Sequence, residues 1–167
     1  MSTKNQWSKS LGQALDRLAA GSPALKLAVL GVGNELDTED AAGVMLERCL
    51  VQKLQQAQNL LLLDGGTVPE NQSGALRRFE PDLILILDAA ELGEAPGTVK
   101  LLSPEQADGF SGSTHSLPLS MLARYLADEI GCTVLFLALQ PPTTQTTHES
   151  IAAEIGRRLE PYLQRAN

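Results

Sequence analysis

The chain is poor in several residue types, and each shortage argues against a class of function or partner. Aromatic residues make up 4% of its 167 residues, and 13 basic against 20 acidic side chains leave a formal charge of −7. A nucleic-acid surface combines basic with aromatic side chains, so this composition argues against such a partner. No apolar run approaches the roughly 18 residues of a membrane span, and no apolar segment follows the basic residues near the N-terminus as in a signal peptide. We therefore expect a cytoplasmic globular protein without a membrane partner.

Cysteine is also scarce. Cys49 and Cys132 lie far apart, and each falls inside an apolar pattern. Buried, reduced thiols fit these positions better than a disulfide or a pair of metal ligands. Cysteine catalysis would require an exposed thiol beside a histidine, which neither position indicates.

Short apolar runs alternate with helical patterns along the chain. Strands are predicted at about residues 25–32, 60–64, 83–87, 98–102 and 133–138. Apolar residues at helical spacing predict helices at about 6–20, 40–57, 69–79 and 118–130, and a last helix for which Thr146 and Glu149 match a capping box. Strand alternating with helix is typical of an α/β domain, so we expect a mostly parallel, roughly five-stranded sheet between helices. The fourth strand, which Lys100 interrupts, is expected near an edge.

The first predicted helix precedes this α/β pattern. Its apolar residues form one helical stripe: Trp7, Leu11, Leu15 and Leu18. Gly21 and Pro23 then end the helix. We divide the chain into an N-terminal helical extension, residues 1–24, and an α/β domain, residues 25–167. The apolar stripe either packs on the outside of the sheet, which is the simpler expectation, or docks a partner.

The stretch Leu27–Gly43 carries the features that point to a site. Its apolar run predicts a strand buried on both faces, and the glycines of Gly31–Asn34 permit a sharp turn after it. Ligands of open α/β sheets bind beyond the carboxyl ends of the strands. Thr38 is the predicted N-cap of the next helix, which would place Glu39 and Asp40 in a first turn where the helix dipole favours negative charge. Carboxylates at this position indicate a cation site.

Two other chemistries fit poorly. A dinucleotide site needs a third glycine where Leu36 stands, although Asp64 could pass for the acid that binds a ribose. A pyrophosphate at this site would also face three acids, Asp37, Glu39 and Asp40. Residues 109–113 look like the nucleophile elbow of a hydrolase, but the closing glycine and the preceding strand are missing.

Three polar residues remain where a strand end or a flexible loop meets the predicted cleft: Asp40, Asp88 and His115. Asp88 ends five consecutive aliphatic residues, so its carboxylate is expected to be partly buried and to need a partner. Two carboxylates and an imidazole suit nickel or zinc better than magnesium and leave positions open for substrate or water. The simpler interpretations are a loop-fixing or helix-capping Asp88 and a solvated His115. His148, at a helix start, is interpreted as solvated.

Four segments form a series in this order along the chain. They are Gly-Val-Gly-Asn-Glu-Leu-Asp-Thr-Glu-Asp-Ala-Ala-Gly at 31–43, Asp-Gly-Gly-Thr-Val-Pro-Glu-Asn at 64–71, the apolar strand 83–89 with the Pro-Gly turn at 96–97, and Thr-His-Ser-Leu-Pro-Leu at 114–119. Together they resemble the maturation endopeptidases of [NiFe]-hydrogenases, with compatible spacing from about residue 26 to 140. Four motifs in register are far more specific than any one of them.

The resemblance implies a three-layer α/β/α sandwich and a peptidase that removes a C-terminal peptide from a hydrogenase large-subunit precursor after nickel delivery. It implies that Asp40, Asp88 and His115 are metal-binding positions that contact nickel carried by the substrate, for which other divalent metals could substitute. It also implies that Asp40 and Asp88 are the catalytic carboxylates. Further cleft residues carried over are Gly33, Asn34, Glu39, Asp64, Gly65, Gly66 and Thr114. We expect a monomer whose partner is the precursor.

The chain departs from the family pattern at Thr38-Glu39, in its N-terminal extension, and in the loop from Pro142 to Thr147. The extension and the loop bear on which hydrogenase is the partner. Two classes of function remain. One is the nickel-gated endopeptidase, and the other is a non-proteolytic metal- or subunit-binding assembly module on the same fold. Only the endopeptidase would release a C-terminal peptide from the precursor, so this release distinguishes the two functions.

Overall fold

The computed structural model describes residues 5–54, 56–110 and 118–165, and its centre is one five-stranded sheet. The strands are β1 Leu27–Val32, β2 Leu60–Gly66, β3 Leu83–Ala89, β4 Val99–Leu102 and β5 Thr133–Leu139. They lie in the order β2-β1-β3-β5-β4, with every pairing parallel except that of β4 with β5. The mostly parallel sheet and the edge position of the strand that contains Lys100 are as predicted.

Helices cover both faces of the sheet. The α-helices are α1 Gln6–Gly21, α2 Ala42–Lys53, α3 Ser73–Phe79, α4 Pro104–Ala107, α5 Leu119–Ile130 and α6 Gln145–Leu159, with 3₁₀ turns at Pro69–Gln72 and Glu160–Tyr162. Residues of α1, α2 and α6 pack on one face, and residues of α3 and α5 pack on the other. The expected α/β/α sandwich is therefore confirmed. Within the described ranges, no helix has the length and apolar character needed to cross a membrane.

The strands are aliphatic at successive positions because both faces of the sheet are covered. Leu27 and Val29 of β1 pack against the α1, α2 and α6 layer, whereas Ala28 and Leu30 pack against the α3 and α5 layer. Every residue of β1 and of β3 is buried. A continuous apolar run, rather than an alternating one, is the pattern that such strands require.

The N-terminal helix is part of this core. Trp7 and Leu11 are buried in the same apolar cluster as the residues of α2 and α6. Ser8 Oγ accepts a hydrogen bond from Arg158 Nε at 2.8 Å and donates one to Glu154, which ties α1 to α6. The predicted packing of this stripe on the sheet layer is confirmed.

The start of α2 differs from the prediction. The helix begins at Ala42 without a side-chain cap, so the assignment of Thr38 as N-cap, with Glu39 and Asp40 in the first turn, is wrong. Local hydrogen bonds form a separate turn first. Asp37 Oδ1 accepts the N–H of Glu39 at 3.0 Å, and the Asp37 carbonyl accepts the N–H of Asp40 at 2.9 Å. Such side-chain bonds compete with helix formation.

The start of α6 also differs. The helix begins at Gln145, and its N-cap is Thr144, whose Oγ1 accepts the N–H of Thr147 at 3.2 Å. The capping box assigned to Thr146 and Glu149 is therefore wrong. Several neighbouring threonines can cap a helix, and only the direction in which the chain leaves β5 decides which of them does.

Smaller differences concern helix ends and the cysteines. Pro118 holds the N-cap position of α5 rather than its first turn, and the helix ends at left-handed Gly131. The second helix ends at Lys53 rather than near residue 57. Both cysteines are free, as predicted, but only Cys49 is buried, and Cys132 is half-buried. Burial raises the pKa of the Cys132 thiol to about 11.

Candidate metal and substrate cleft

The candidate site lies beyond the carboxyl ends of β1 and β3, which are neighbours in the sheet. Because β1 pairs with β2 on one side and with β3 on the other, the strand order reverses here, and a cleft opens at such a switch point. The start of α2 lies directly against both strand ends. A Cβ atom on Gly43 would lie 2.1 Å from the Leu87 carbonyl oxygen and 2.3 Å from that of Val32. Only glycine permits this approach.

The loop between β1 and α2 holds Asp40 in the cleft. Gly33 has a φ of +140°, and a Cβ there would lie 1.9 Å from the Asp40 carbonyl oxygen, so the loop closes tightly on itself. The backbone N–H of Asn34 donates to Asp40 Oδ2 at 3.0 Å. Asp40 is buried, and its Oδ1 has no hydrogen-bond partner among the described residues. One carboxylate oxygen is thus anchored, and the other is available.

Asp88 lies at the carboxyl end of β3 and is buried as well. Burial, followed by the negative charge of nearby Asp40, raises the pKa of Asp88 well above its usual range, against a hydrogen bond from the Ala89 N–H that lowers it. Its Oδ1 is buried without a hydrogen-bond partner in the described residues. A buried carboxylate oxygen in this state costs free energy unless a proton or a cation occupies it.

The two buried oxygens without a hydrogen-bond partner in the described ranges, Asp40 Oδ1 and Asp88 Oδ1, are of the donor type that a divalent cation accepts. The third predicted ligand, His115, and the cleft residue Thr114 lie outside the described residues. Within the described residues alone, no group of three or more histidine, cysteine, aspartate or glutamate side chains is arranged to hold a metal. The described part of the chain therefore supplies two of the three predicted positions.

The end of β2 forms one side of the cleft. Residues 64–66 are the last of this strand, and the N–H of Gly33 donates to the Gly66 carbonyl at 2.9 Å, which joins the two loops. A Cβ on Gly65 would lie 2.9 Å from the Gly31 carbonyl oxygen, so glycine allows β2 to stay close to β1 here. The glycines shape the backbone and carry no chemistry of their own.

Arg48, on α2, links the two loops, and no motif in the sequence singled it out. Its guanidinium pairs with Glu35 and lies 3.4 Å from Asp64 Oδ2. The hydrogen bond from Arg48 lowers the pKa of Glu35. Asp64 Oδ1 also accepts the N–H of Gly66 at 2.9 Å, so Asp64 holds the loop in place. Glu39, another predicted cleft residue, is exposed on the loop.

Two residues near the end of β5 were not foreseen. His148 is buried, so its interpretation as a solvated histidine is wrong; its Nε2 lies 2.6 Å from Thr143 Oγ1. Gln140 is buried too, and its Oε1 accepts the N–H of Leu92 at 2.7 Å while its Nε2 donates to Glu91 at 3.1 Å. Gln140 therefore fixes the loop that follows Asp88. The only sequence signal for it was a polar residue directly after a buried strand.

The strand order, the two helical layers and the buried acidic pair define an α/β/α protein with an acidic cleft at its switch point. Residues 44–167 match the family model for hydrogenase maturation proteases. The chain is 35% identical to the hydrogenase 3 maturation protease of Escherichia coli K12 over 141 residues, which cover 79% of this chain and 87% of that protein. The chain belongs to the hydrogenase maturation protease family, as the four motifs indicated.

Solved structures agree with this assignment. The fold is similar to the crystal structure of a [NiFe] hydrogenase maturation protease from Thermococcus kodakarensis KOD1, with a TM-score of 0.75 and 27% identity, over 88% of this chain and 99% of that chain. It is also similar to the solution structure of an endopeptidase from Escherichia coli, with a TM-score of 0.64 and 27% identity, over 85% of this chain and 97% of that chain.

Proposed function

We propose that this protein is an endopeptidase that removes the C-terminal peptide of a [NiFe]-hydrogenase large-subunit precursor after nickel insertion. We further propose that it recognises the nickel held by the precursor and acts as a cytoplasmic monomer. Membership of the family supports the peptidase activity and a hydrogenase subunit as partner. The observation that carries the metal recognition is the pair of buried carboxylates, Asp40 and Asp88, each with an oxygen that no described residue satisfies.

In this proposal the nickel is part of the substrate, and Asp40 and Asp88 are its protein ligands. Carboxylate oxygens bind a divalent cation, and an imidazole added to them suits nickel, so His115 is the proposed third ligand on the strength of the motif. Docking of the metal would bring the neighbouring peptide bond against the two carboxylates. Either carboxylate is then placed to accept a proton from the attacking water, and the Asn34 N–H keeps Asp40 oriented for that role.

The test is the intact mass of the large-subunit precursor before and after incubation with this protein. Nickel-loaded precursor, nickel-free precursor, and precursor loaded with another divalent metal such as zinc are compared in parallel. We expect a C-terminal peptide to be released from the nickel-loaded precursor and not from the nickel-free one. Release from the zinc-loaded sample would extend the recognition to other divalent metals.

The other outcomes discriminate between the possible functions. Cleavage with and without nickel would retain the peptidase and reject recognition of the metal. Binding of the cognate precursor without any change in its mass would instead favour a non-proteolytic assembly module on the same fold.

A further inference from the structure

Leu36 is the most exposed large apolar side chain in the described part of the chain. It is 90% exposed, whereas the next, Met121, is 54% exposed. A side chain this exposed contributes almost no burial to folding. Single apolar residues on a surface are common, so the meaning of Leu36 depends on where it lies.

Leu36 lies in the loop that holds Asp40. Asn34 forms hydrogen bonds to both residues. Asn34 accepts the N–H of Leu36 on its Oδ1 at 3.0 Å, while its own N–H donates to Asp40 Oδ2 at 3.0 Å. The Asn34 carbonyl also accepts the N–H of Asp37 at 3.1 Å. Leu36 therefore protrudes at a set position relative to Asp40. These bonds fix the backbone that carries Leu36, so contacts made by its side chain do not require the loop to be ordered first.

The surroundings of Leu36 combine apolar and negative character. Val68, 42% exposed, lies on the neighbouring loop, which the hydrogen bond between Gly33 and Gly66 joins to this one. Asp37 and Glu39 are exposed, and no basic side chain among the described residues lies within ion-pair distance of either. We call these four residues, Leu36, Asp37, Glu39 and Val68, the Leu36 rim.

We infer that the Leu36 rim docks the folded body of the protein substrate, with Leu36 inserted into an apolar recess that basic side chains border. The inference rests on the proposed function, because the occupant is the large-subunit precursor. Leu36 lies in the same loop as Asp40, and Asn34 bonds to both, so a substrate segment bound at Asp40 would lie close to Leu36. Burial of a protruding leucine on binding requires a recess, which a folded surface offers and an extended tail does not. The exposed acids of the rim would favour a recess bordered by basic side chains, because complementary charges steer and orient a partner.

The experiment compares Leu36→Ser with Val51→Ser. Val51 is also an exposed apolar residue, but it lies on α2 nine residues beyond the helix start, about 13 Å along its axis. For each variant, kcat and KM are measured from peptide release by nickel-loaded precursor. A separate titration against immobilised precursor measures Kd, because KM equals Kd only when chemistry is slow. The melting temperature is recorded for both variants.

We expect Leu36→Ser to raise KM and Kd roughly ten- to a hundredfold, the range for full burial of one leucine, with kcat within about twofold of wild type. Val51→Ser should leave all three constants unchanged, and neither variant should shift the melting temperature. Unchanged KM and Kd in Leu36→Ser would overturn the inference. A fall in kcat alone would also overturn it, because Leu36 would then act at the reacting bond.

The charge of the rim is tested with Glu39→Gln. The substitution should weaken binding at low salt and flatten the dependence of Kd on ionic strength, because one attraction to the basic border is lost. An unchanged salt dependence would reject the basic border. If wild type binds the precursor without cleaving it, the proposed function fails, and the Kd values of the Leu36 and Val51 variants still decide the docking inference.

Discussion

Asp40 and Asp88 reach the same cleft by different means. Asp40 is placed by a short loop whose backbone donates to one of its oxygens, whereas Asp88 is the sixth residue of a fully buried strand. The backbone of Asp88 is held by strand pairing, in which Asp88 lies opposite Ala138 of β5. The loop position brings Asp40 to the cleft once the chain has turned back at Gly33.

Replacing these groups should remove processing and leave the fold intact. We expect Asp40→Asn, Asp88→Asn and His115→Ala each to reduce peptide release at least about a hundredfold, the scale of a lost acid–base or ligand group. The asparagine variants keep the size of the side chain and remove a buried carboxylate, so their urea unfolding curves should show no loss of stability relative to wild type. Asp128→Asn, at an exposed position of α5, is the matched control. Normal processing by any of the three variants would remove that residue from the site.

Burial of His148 changes how its ionisation affects the stability of the protein. Burial lowers the pKa of His148 below its usual 6.5. Below pH 6.5 the unfolded chain binds a proton that the folded chain does not, so the free energy of unfolding declines as the pH falls toward the folded-state pKa. Above pH 6.5 this contribution to stability is fully present.

The variant His148→Gln should lose that part of the pH dependence. Urea unfolding is measured for both proteins between about pH 7 and pH 5. As the pH falls, we expect the free energy of unfolding to decline more for wild type than for the variant. The carboxylates are common to both proteins and cancel in the comparison. If the difference in free energy of unfolding between the two proteins stays constant across this range, His148 titrates equally in the folded and unfolded states.

At the scale of elements, the contact between the start of α2 and the ends of β1 and β3 decides the geometry of the cleft. The loop that precedes α2 carries Asp40, so any shift of this helix start also moves the carboxylate. The contact exists because Gly43 has no side chain where two carbonyl oxygens approach. This close approach, rather than a cap, positions the helix.

Gly43→Ala tests that contact. The added Cβ would lie 2.1 Å from the Leu87 carbonyl oxygen, so we expect a loss of about 1–3 kcal/mol in the free energy of unfolding and a loss of processing as Asp40 moves. Gly156→Ala in α6 is the control, because its Cβ would meet the Leu54 side chain no closer than 3.4 Å, an ordinary van der Waals contact. That change should stabilise the protein by about 0.5–1 kcal/mol. Equal effects of the two substitutions would contradict the argument.

At the scale of the whole molecule, the N-terminal extension and the α/β domain share one apolar cluster. Leu11 and Leu15 of α1 are completely buried with residues of α2, α6 and the sheet. The extension is thus continuous with the layer that holds α2 in place. Its buried leucines should therefore contribute to stability as core residues do.

Leu11→Ala measures that contribution. Removing a fully buried leucine should lower the free energy of unfolding by about 2–5 kcal/mol. Gln13→Ala, on the exposed side of the same helix, should change it by less than about 0.5 kcal/mol. Both are measured by urea unfolding. A loss below 1 kcal/mol for Leu11→Ala would mean that α1 is a peripheral addition.

Much of this architecture could be predicted from the sequence because its signals are local. Continuous apolar runs such as Leu83–Leu87 are buried on both faces wherever they pair, and the alternation with helices leaves few topologies. The two carboxylates could be named for the same reason, since Asp88 ends such a run and the glycines after β1 require a turn. The four motifs then identified the family.

Only the tertiary structure decided which of several locally possible arrangements forms. Thr38 and Thr146 are acceptable caps by composition, yet the Asp37 turn and Thr144 take precedence because neighbouring elements fix the path of the chain. His148, interpreted from the sequence as solvated, and Gln140, a polar residue directly after a strand, are both buried in the tertiary structure. The exposure of Leu36 likewise follows from hydrogen bonds that close its loop. The local sequence pattern determines which segments form helices and strands. Burial and the path of the chain depend on contacts between residues distant in sequence. These contacts determine what each polar or exposed side chain does.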